Sequence, residues 1–167
     1  MSKCISGYFS GTKGDNVVTG SIDYTKANDS YSSFINKRKD VDVNGFYDII
    51  AHGTPHSIQI QSGEQTLEID HRSAARLFKN NPALKNKSIR LLSCSTGESP
   101  TGFAQNLANK LNVVVEAPTN LVWAWSNGKY IVAGRSKSNP NYPDPKSKGH
   151  FKKFYPGGNK NERRTTL

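Results

Sequence analysis

Apolar residues are concentrated in short runs between Phe46 and Val132, while the segments on either side are mostly polar. Two runs, Phe46–Ala51 and Ser88–Ser93, have the length and continuity of strands that are buried on both faces of a sheet. Shorter runs at 113–115 and 129–133 predict two further strands. The pattern therefore predicts a sheet whose central strands are covered by other elements on both sides.

The segments between these strands show helical spacing. A short amphipathic helix is predicted over Ser32–Lys39, and Asp70 is placed to cap a second helix. A third helix is predicted to open at Pro100 or Thr101. Its apolar positions recur at helical spacing, namely Phe103, Ala104, Leu107, Ala108 and Leu111. Strand–helix–strand units cross over right-handed and run their strands in parallel, so the strand ends should meet at one edge of the sheet.

The chain of 167 residues is long enough for one α/β domain. We assign that domain to residues 1–138, with residues 1–45 less regular and containing a predicted edge hairpin around Gly11–Asp15. A hairpin is also predicted over residues 58–69. Residues 139–167 are rich in Pro, Gly and Lys and are predicted to form an irregular basic tail, packed at most by Phe151, Phe154 and Tyr155.

Composition narrows the classes of function. No apolar run approaches the roughly 18 residues that a membrane span needs, and no signal peptide is recognisable, so we expect a soluble protein without a membrane partner. The net charge of +10 favours an acidic partner. Nucleic acid is not the expected partner, because no basic-aromatic recognition motif accompanies the charge.

Chemistry is expected at the predicted strand ends. His52 and Cys94 each follow an apolar run and precede small residues. A cysteine attacks an acyl carbon as the thiolate, and a neighbouring imidazole can accept its proton and later protonate the leaving group. Cys4, the second of two cysteines, has no such histidine partner. Two cysteines are too few for a disulfide scaffold or a structural zinc site, and we expect no metal and no cofactor.

Small residues beside the pair leave backbone amides approachable. The N–H groups of Gly53 and Cys94 are the natural donors to an oxyanion that forms during acyl transfer. We therefore predict that the amides of Gly53 and Cys94 form the oxyanion hole, with His52 and Cys94 as the candidate reactive pair.

A strand ending in His-Gly, followed after a helix by a strand ending in Ser-Cys, resembles the caspase-like (clan CD) cysteine peptidases. The order of His52 before Cys94 and their separation fit that group. The resemblance implies a three-layer α/β fold with a mainly parallel central sheet flanked by helices. It also implies a dyad that cleaves protein substrates, with His52 as the general base and Cys94 as the nucleophile. The pocket for the residue before the scissile bond is then formed by the segment after the neighbouring strand. In this chain that segment supplies Pro118, Thr119 and Trp123.

Further patterns at 103–108, 115–119 and 123–124 resemble the C-terminal domains of Rhs and related polymorphic toxins. That resemblance implies an effector made in the bacterial cytoplasm, delivered into a competing or host cell, and neutralised by an acidic immunity protein. These implications rest on analogy.

Other chemistries are left open or excluded by the residues. A tyrosine-phosphatase loop would need an arginine at position 100, which is Pro100, so that hypothesis fails. A papain-like arrangement places Cys before His, which argues against it here. A metal-dependent nuclease built on His52, His56, Asp70 and His71 matches no ligand spacing that we can justify. A catalytically inactive caspase-like binding module and a basic toxin acting on nucleic acid stay open as alternatives.

Overall fold

The computed structural model describes residues 18–42 and 45–158, together with the backbone of residues 2–3. The first strands and the first helix are β1 (Ser2–Lys3), β2 (Ser21–Asp23), α1 (Ser30–Ile35), β3 (Phe46–Ile50), β4 (His52–Gly53), β5 (Ile58–Ser62) and β6 (Gln65–Ile69). Then follow α2 (His71–Lys79), a 3₁₀ turn (Pro82–Leu84), β7 (Ser88–Leu92), α3 (Phe103–Leu111), β8 (Val115–Pro118), β9 (Val122–Ala124), β10 (Tyr130–Arg135), β11 (Pro143–Lys148) and β12 (Phe151–Phe154).

The central sheet, as far as the chain is described, has five strands in the order β12-β8-β7-β3-β2. Strands β2, β3, β7 and β8 run in parallel, and β12 lies antiparallel on the outer edge of β8. The connections from β2 to β3 and from β7 to β8 contain α1 and α3, so these units have the expected strand–helix–strand form. The protein is thus an α/β domain with a mixed, mainly parallel central sheet.

Alternation along the strands sends side chains into two apolar clusters on opposite faces of the sheet. Ile49 and Leu91 belong to a cluster that packs against α2 and α3. Ile50 and Leu92 belong to the other cluster, which packs against α1 and the apolar face of β9 and β10. Burial on both faces explains why β3 and β7 are continuously apolar toward their ends rather than alternating.

Two smaller sheets complete the fold within the described residues. One has the order β1-β9-β10-β11 and packs beside α1, and the other has the order β4-β5-β6. Strand β4 begins at His52, so the chain leaves the central sheet after Ile50 and enters the three-stranded sheet at once. His52 is therefore held by the pairing of β4 with β5 as well as by its connection to β3.

The N-terminal half of the central sheet contains a polar network on the α1 face. Asp48 on β3 accepts from Arg38 at 2.8 Å and from Arg90 at 2.7 Å, and since Asp48 and Arg38 are buried, the network is part of the interior. Arg90 also bonds Asp40 at 3.1 Å and the Tyr130 hydroxyl at 2.8 Å. Opposite charges compensate one another where water is excluded, as buried ions require.

Several sequence predictions are confirmed with small shifts. Helix α1 begins two residues before the predicted start, α3 begins at Phe103 rather than at Pro100 or Thr101, and β8 begins at Val115. Asp70 caps α2 by accepting from the Ser73 N–H at 2.9 Å. The predicted hairpin at Gly11–Asp15 lies outside the described residues.

The prediction of an irregular tail after residue 139 is wrong for residues 143–154. Strand β11 pairs with β10, and β12 pairs with β8 from Phe151 opposite Pro118 to Phe154 opposite Val115. Phe154 is buried in the cluster under α2 and α3. The lysines made this segment resemble a solvated tail in the sequence, because β12 is an edge strand whose two central lysines are exposed to solvent. No helix in the described part of the chain is long and apolar enough to cross a membrane.

Candidate active site at the strand ends

The ends of β3 and β7 bring the two predicted catalytic residues to one edge of the sheet. The parallel register pairs Ile49 with Leu91 and Ile50 with Leu92. His52 and Cys94 each come two residues after the end of one of these strands. Both lie on the α1 side of the sheet, because His52 bonds Asp29 at the start of α1 and Cys94 belongs to the cluster that contains residues of α1. The imidazole and the sulfur therefore follow neighbouring strands, in the order that the sequence predicts.

His52 is held by a carboxylate that the sequence analysis did not single out. Its Nε2 lies 2.6 Å from Asp29 Oδ2, and both side chains are buried. The other oxygen of Asp29 accepts from the Ser32 N–H at 2.9 Å and caps α1. One carboxylate thus starts the helix and orients the imidazole, so the position of His52 is fixed relative to α1.

The second ring nitrogen of His52 points into the interior without a hydrogen-bond partner among the described residues. A carboxylate can only accept a hydrogen bond, so Nε2 is the donor, and in the neutral imidazole this leaves the lone pair on Nδ1. An unpaired buried acceptor costs free energy, and structures keep such groups mainly where they are used. The imidazole is therefore arranged to receive a proton at Nδ1.

Tyr31 forms a wall of the same site. Its ring centroid lies 5.9 Å from that of His52, and its hydroxyl donates to the Leu92 carbonyl oxygen at 3.0 Å. Burial raises the pKa of Tyr31 well above its ordinary value. The charge of Arg38 opposes this shift by a smaller amount, and the charge of Asp29 adds to it. Burial therefore favours the neutral form of Tyr31, which donates to the end of β7 and packs beside the imidazole.

The sulfur of Cys94 lies against β9. Sγ accepts from the Val122 N–H at 3.2 Å, and Cys94 is 1% exposed. Cys94 is disulfide-bonded, and none of the cysteines in the described residues carries a free thiol. The expectation that Cys94 carries a free thiol is wrong for this structure, which holds the sulfur in its oxidised form.

The turn after Cys94 has an unusual backbone. Ser95 adopts φ of 62°, a left-handed conformation that is uncommon for a residue with a side chain. Its N–H donates to the Asn120 carbonyl at 3.0 Å, and the N–H of Gly97 donates to the Pro118 carbonyl at 2.9 Å. The loop after β8 therefore fixes the sharp turn that carries the candidate nucleophile, and such local strain is most common at functional sites.

Gly53 is required by the close approach of the two strand ends. A Cβ at this position would lie 2.8 Å from the Cys94 carbonyl oxygen and 2.8 Å from Thr96 Cγ2. Only glycine fits without moving the backbone. The two residues that were expected to supply oxyanion donors, Gly53 and Cys94, are therefore direct neighbours.

The residues expected to line a substrate pocket have different surroundings. Pro118 ends β8 beside Gly97, and Thr119 exchanges hydrogen bonds with His150. Trp123 is 1% exposed, and its indole N–H donates to the Ala133 carbonyl at 2.9 Å. Trp123 is thus a core residue in this structure, whereas Thr119 remains half-exposed near the Cys94 turn.

The other histidines do not join the site. His56 is exposed in the turn between β4 and β5, and His71 opens α2 on the other side of the sheet. Partial burial is the main reason that the pKa of His71 lies below its ordinary value. Within the described ranges, no three His, Cys, Asp or Glu side chains are grouped to hold a metal ion.

Comparison with known families gives one match. The model of the family described as a domain of unknown function (DUF8616) matches residues 20–132, which is more than half of the chain. The chain belongs to this family. No curated protein and no solved structure matches it. The DUF8616 region contains Asp29, His52 and Cys94, and it runs from the start of β2 into β10.

Asp29 could have been found in the DUF8616 sequence from its capping position. It directly precedes Ser30, and aspartate before a helical pattern is a strong N-cap signal. The helix predicted from Ser32 starts two residues too late, so it leaves Asp29 in the preceding loop. The second role of Asp29, toward His52, has no local signal because the two residues are brought together by packing of α1 on the sheet.

Proposed function

We propose that this domain is a cysteine endopeptidase with a caspase-like arrangement, in which Cys94 is the nucleophile, His52 the general base and Asp29 the residue that orients His52. The observation that supports it best is the buried Asp29–His52 pair at 2.6 Å, which leaves Nδ1 as an unpartnered acceptor beside the Cys94 strand end. The parallel order of β3, β7 and β8 with helices on both faces agrees with such an architecture.

The proposed reaction follows from these positions. With Cys94 in its thiol form, His52 Nδ1 accepts the proton from Sγ, and the thiolate attacks the carbonyl carbon of the scissile peptide bond. Backbone amides of Gly53 and Cys94 stabilise the oxyanion, and Nδ1–H then protonates the leaving amine. Water hydrolyses the thioester with His52 again as base. Asp29 keeps the proton on Nε2 throughout and stabilises the imidazolium while it exists.

The biological setting that we propose is that of a bacterial effector of the polymorphic toxin type, which cleaves proteins inside a target cell. The net charge of +10 supports an acidic immunity protein as its neutralising partner, since opposite charge accelerates association. Protein is thus proposed both as substrate and as inhibitor.

The test compares single and double variants in a bacterial expression strain. Wild type should arrest growth and produce new protein N-termini, whereas His52→Ala, Cys94→Ala and the double variant should each lose activity about 10²–10⁴-fold or more. Because a dyad acts as a unit, the double variant should be little worse than the worse single variant. Growth arrest and new N-termini that persist in Cys94→Ala would refute the proposal.

His56→Ala is the matched control, since His56 is exposed and near His52 in sequence but outside the site. It should retain wild-type activity. Circular dichroism of every variant checks that the loss reflects chemistry rather than unfolding. If His56→Ala is inactive while His52→Ala is active, the imidazole has been assigned wrongly.

A second candidate is a binding module without catalysis. It is favoured by the low exposure of the pair, since Cys94 is 1% and His52 is 3% exposed. A separate groove of about 620 Å³ offers a binding surface lined by Lys39, Lys129 and His150. This candidate is supported if none of the variants at positions 52 and 94 alters growth arrest while substitutions in the groove abolish it.

A further inference from the structure

The groove of about 620 Å³ is formed by three segments of the chain. Residues 38–40 follow α1, residues 128–132 contain the start of β10, and residues 149–151 lead into β12. None of the lining residues belongs to the site of Asp29, His52 and Cys94. Its volume lies within the range of about 300–1,000 Å³ that ligand sites usually have, so the groove is large enough to bind a ligand of its own.

Contacts between the three segments form the groove before any ligand arrives. Gly128 has φ of 92°, and a Cβ there would lie 2.4 Å from the Lys37 carbonyl oxygen, so the chain after α1 touches the turn before β10. The N–H of Gly149 donates to the Val132 carbonyl oxygen at 2.9 Å, which ties the third segment to β10. A ligand of such a groove needs to order little of the protein when it binds.

The acidic side chain that lines the groove is compensated by neighbouring groups. Asp40 accepts from the Tyr130 hydroxyl and from Arg90 at 3.1 Å. Arg38, the arginine of the groove, pairs with the buried Asp48 at 2.8 Å, and Arg90 bonds Asp48 as well. Two arginines therefore balance two aspartates, and this network adds no net charge to the groove.

The remaining charge of the groove comes from two lysines. Lys39 and Lys129 are both exposed, and Lys129 Nζ lies 6.0 Å from the centroid of the Trp125 ring. The exposed His150 lies on the same groove. The groove therefore has a net positive charge and favours a ligand with carboxylate or phosphate groups.

Apolar surface lies beside these lysines. Tyr130 and Phe151 are half-buried and pack against the apolar cluster on the α1 face of the sheet. Ile131 is 37% exposed and is one of four large apolar side chains that the described part of the chain leaves in solvent. A ligand that fits this groove therefore carries both negative charge and an apolar group.

The aromatic rings of the groove favour a peptide over a nucleic acid. Bases stack on exposed ring faces. The guanidinium of Arg90 already lies over the Tyr130 ring, 5.9 Å from its centroid, and Phe151 packs against the same ring at 85° with the centroids 6.1 Å apart. These contacts occupy the ring surface that a base would need.

We propose that this groove binds an extended acidic peptide segment of a partner protein, with its carboxylates at Lys39 and Lys129 and an apolar side chain against Ile131. The proposal goes beyond the proposed peptidase, because the groove and the reactive pair share no residue. Its test measures binding rather than cleavage, so its failure leaves the proposed reaction untouched.

The first experiment measures binding by fluorescence anisotropy with three labelled probes. They are the peptide Glu-Leu-Glu-Phe-Glu-Leu-Glu, the peptide Glu-Ser-Glu-Ser-Glu-Ser-Glu and a thymidine oligonucleotide of similar charge. The protein is kept oxidised, so that Cys94 carries no thiol and the peptides are not cleaved. The acidic apolar peptide should bind at least about fivefold more tightly than the acidic polar peptide, since it alone has apolar contacts to make. No binding of this peptide up to about 1 mM, or tighter binding of the oligonucleotide, would overturn the proposal.

The second experiment assigns the binding to the groove. Lys39→Gln with Lys129→Gln should weaken the acidic apolar peptide by about fivefold or more, because two ion pairs are lost. The matched control is Lys79→Gln with Lys110→Gln, which removes the same charge from exposed positions on α2 and α3. It should change the affinity by less than about twofold. Equal effects of the two double variants would show that net charge alone attracts the peptide, and the groove would then not be its site.

The third experiment tests the apolar contact and the location. Ile131→Ser should bring the affinity of the acidic apolar peptide close to that of the acidic polar one and leave the latter unchanged. In amide chemical-shift mapping, the peptide should shift residues 38–40, 128–132 and 149–151. Shifts confined to the surroundings of His52 and Cys94 would mean that the peptide binds as a substrate does, and they would refute the groove as its site. Circular dichroism and thermal unfolding show that each variant is folded, and all the substituted side chains are exposed.

Discussion

Replacing Asp29 with asparagine tests the orientation of His52 with little change in shape. Ser32 N–H is a donor, so it selects the amide oxygen of the new side chain and keeps the cap of α1. The NH₂ group then faces His52 Nε2 at the position where Oδ2 accepted. Because an amide nitrogen only donates, Nε2 must accept, and the ring proton moves to Nδ1. The base is then in the wrong tautomer to receive the proton of Cys94.

The expected magnitudes differ sharply between stability and reactivity. Asparagine caps helices as well as aspartate, and exchanging a charge-assisted hydrogen bond for a neutral one costs about 1 kcal/mol. Asp29→Ala removes both the cap and the partner of His52, which should cost about 2–4 kcal/mol. Turnover should fall about 10²–10⁴-fold in Asp29→Asn, since general-base catalysis from Nδ1 is lost.

The assay measures the reactivity of Cys94 and the position of the ring proton of His52 directly. In reduced protein, the rate of Cys94 alkylation by iodoacetamide should fall in Asp29→Asn, and ¹⁵N chemical shifts of the His52 ring should show the proton moving from Nε2 to Nδ1. A merely structural role for Asp29 would change neither the tautomer nor the alkylation rate at equal stability. If Asp29→Asn alkylates Cys94 within about threefold of wild type and His52 keeps its proton on Nε2, the reasoning is refuted.

Three further outcomes are expected from the geometry. Gly53→Ala should separate the strand ends, because its Cβ would lie 2.8 Å from the Cys94 carbonyl oxygen, and should cost about 1–3 kcal/mol and most of the activity. Phe154→Ala should lower the free energy of unfolding in urea by about 3–5 kcal/mol, since Phe154 is buried in the main core. Asp40 is partly buried, which opposes ionisation, yet hydrogen bonds from Arg90 and Tyr130 lower its pKa below 3.8. The contribution of ionised Asp40 to the free energy of unfolding is therefore present above about pH 4 and is lost as the pH falls through the lowered pKa. In Asp40→Asn the free energy of unfolding should depend less on pH in this range, by at most about 1 kcal/mol.

Each of these expectations has a contrasting measurement. Tyr155→Ala is the control for Phe154→Ala, because Tyr155 is 53% exposed and should change stability by less than about 0.5 kcal/mol. Equal effects at the two positions would mean that β12 is not part of the core. If the midpoint pH of acid unfolding is the same in Asp40→Asn as in wild type, Asp40 does not contribute to the stability of the polar network. If Gly53→Ala is fully active, the ends of β3 and β7 can accommodate a Cβ at position 53.

The strands that carry the candidate site could be predicted because their signal is local. β3 and β7 are short, mainly apolar segments that end in two consecutive apolar residues, and such segments predict buried strands without knowledge of their neighbours. Parallel pairing then follows from the crossover rule, which places the residues after the two strands side by side. The edge strand β12 gave no such signal, since it has two adjacent lysines between its two phenylalanines, in a segment that looks like a solvated tail.

The partners of His52 and Cys94 could not be predicted in the same way. Asp29 is 23 residues from His52, and their bond at 2.6 Å depends on how α1 packs against the sheet. The oxidised state of Cys94 likewise has no local signal, because a disulfide depends on contact between residues that are distant in the sequence. The count of two cysteines favoured a free thiol at Cys94, whereas the structure holds Cys94 in a disulfide.

The sequence by itself determined the class of fold and the edge of the sheet at which His52 and Cys94 lie, because strand burial, helix periodicity and the order of these two residues are encoded locally. The tertiary structure decided which nitrogen of His52 is available, which carboxylate orients it and whether Cys94 is free to react. These properties depend on distances between segments far apart in the chain, and such distances are set by packing of whole elements rather than by local preference.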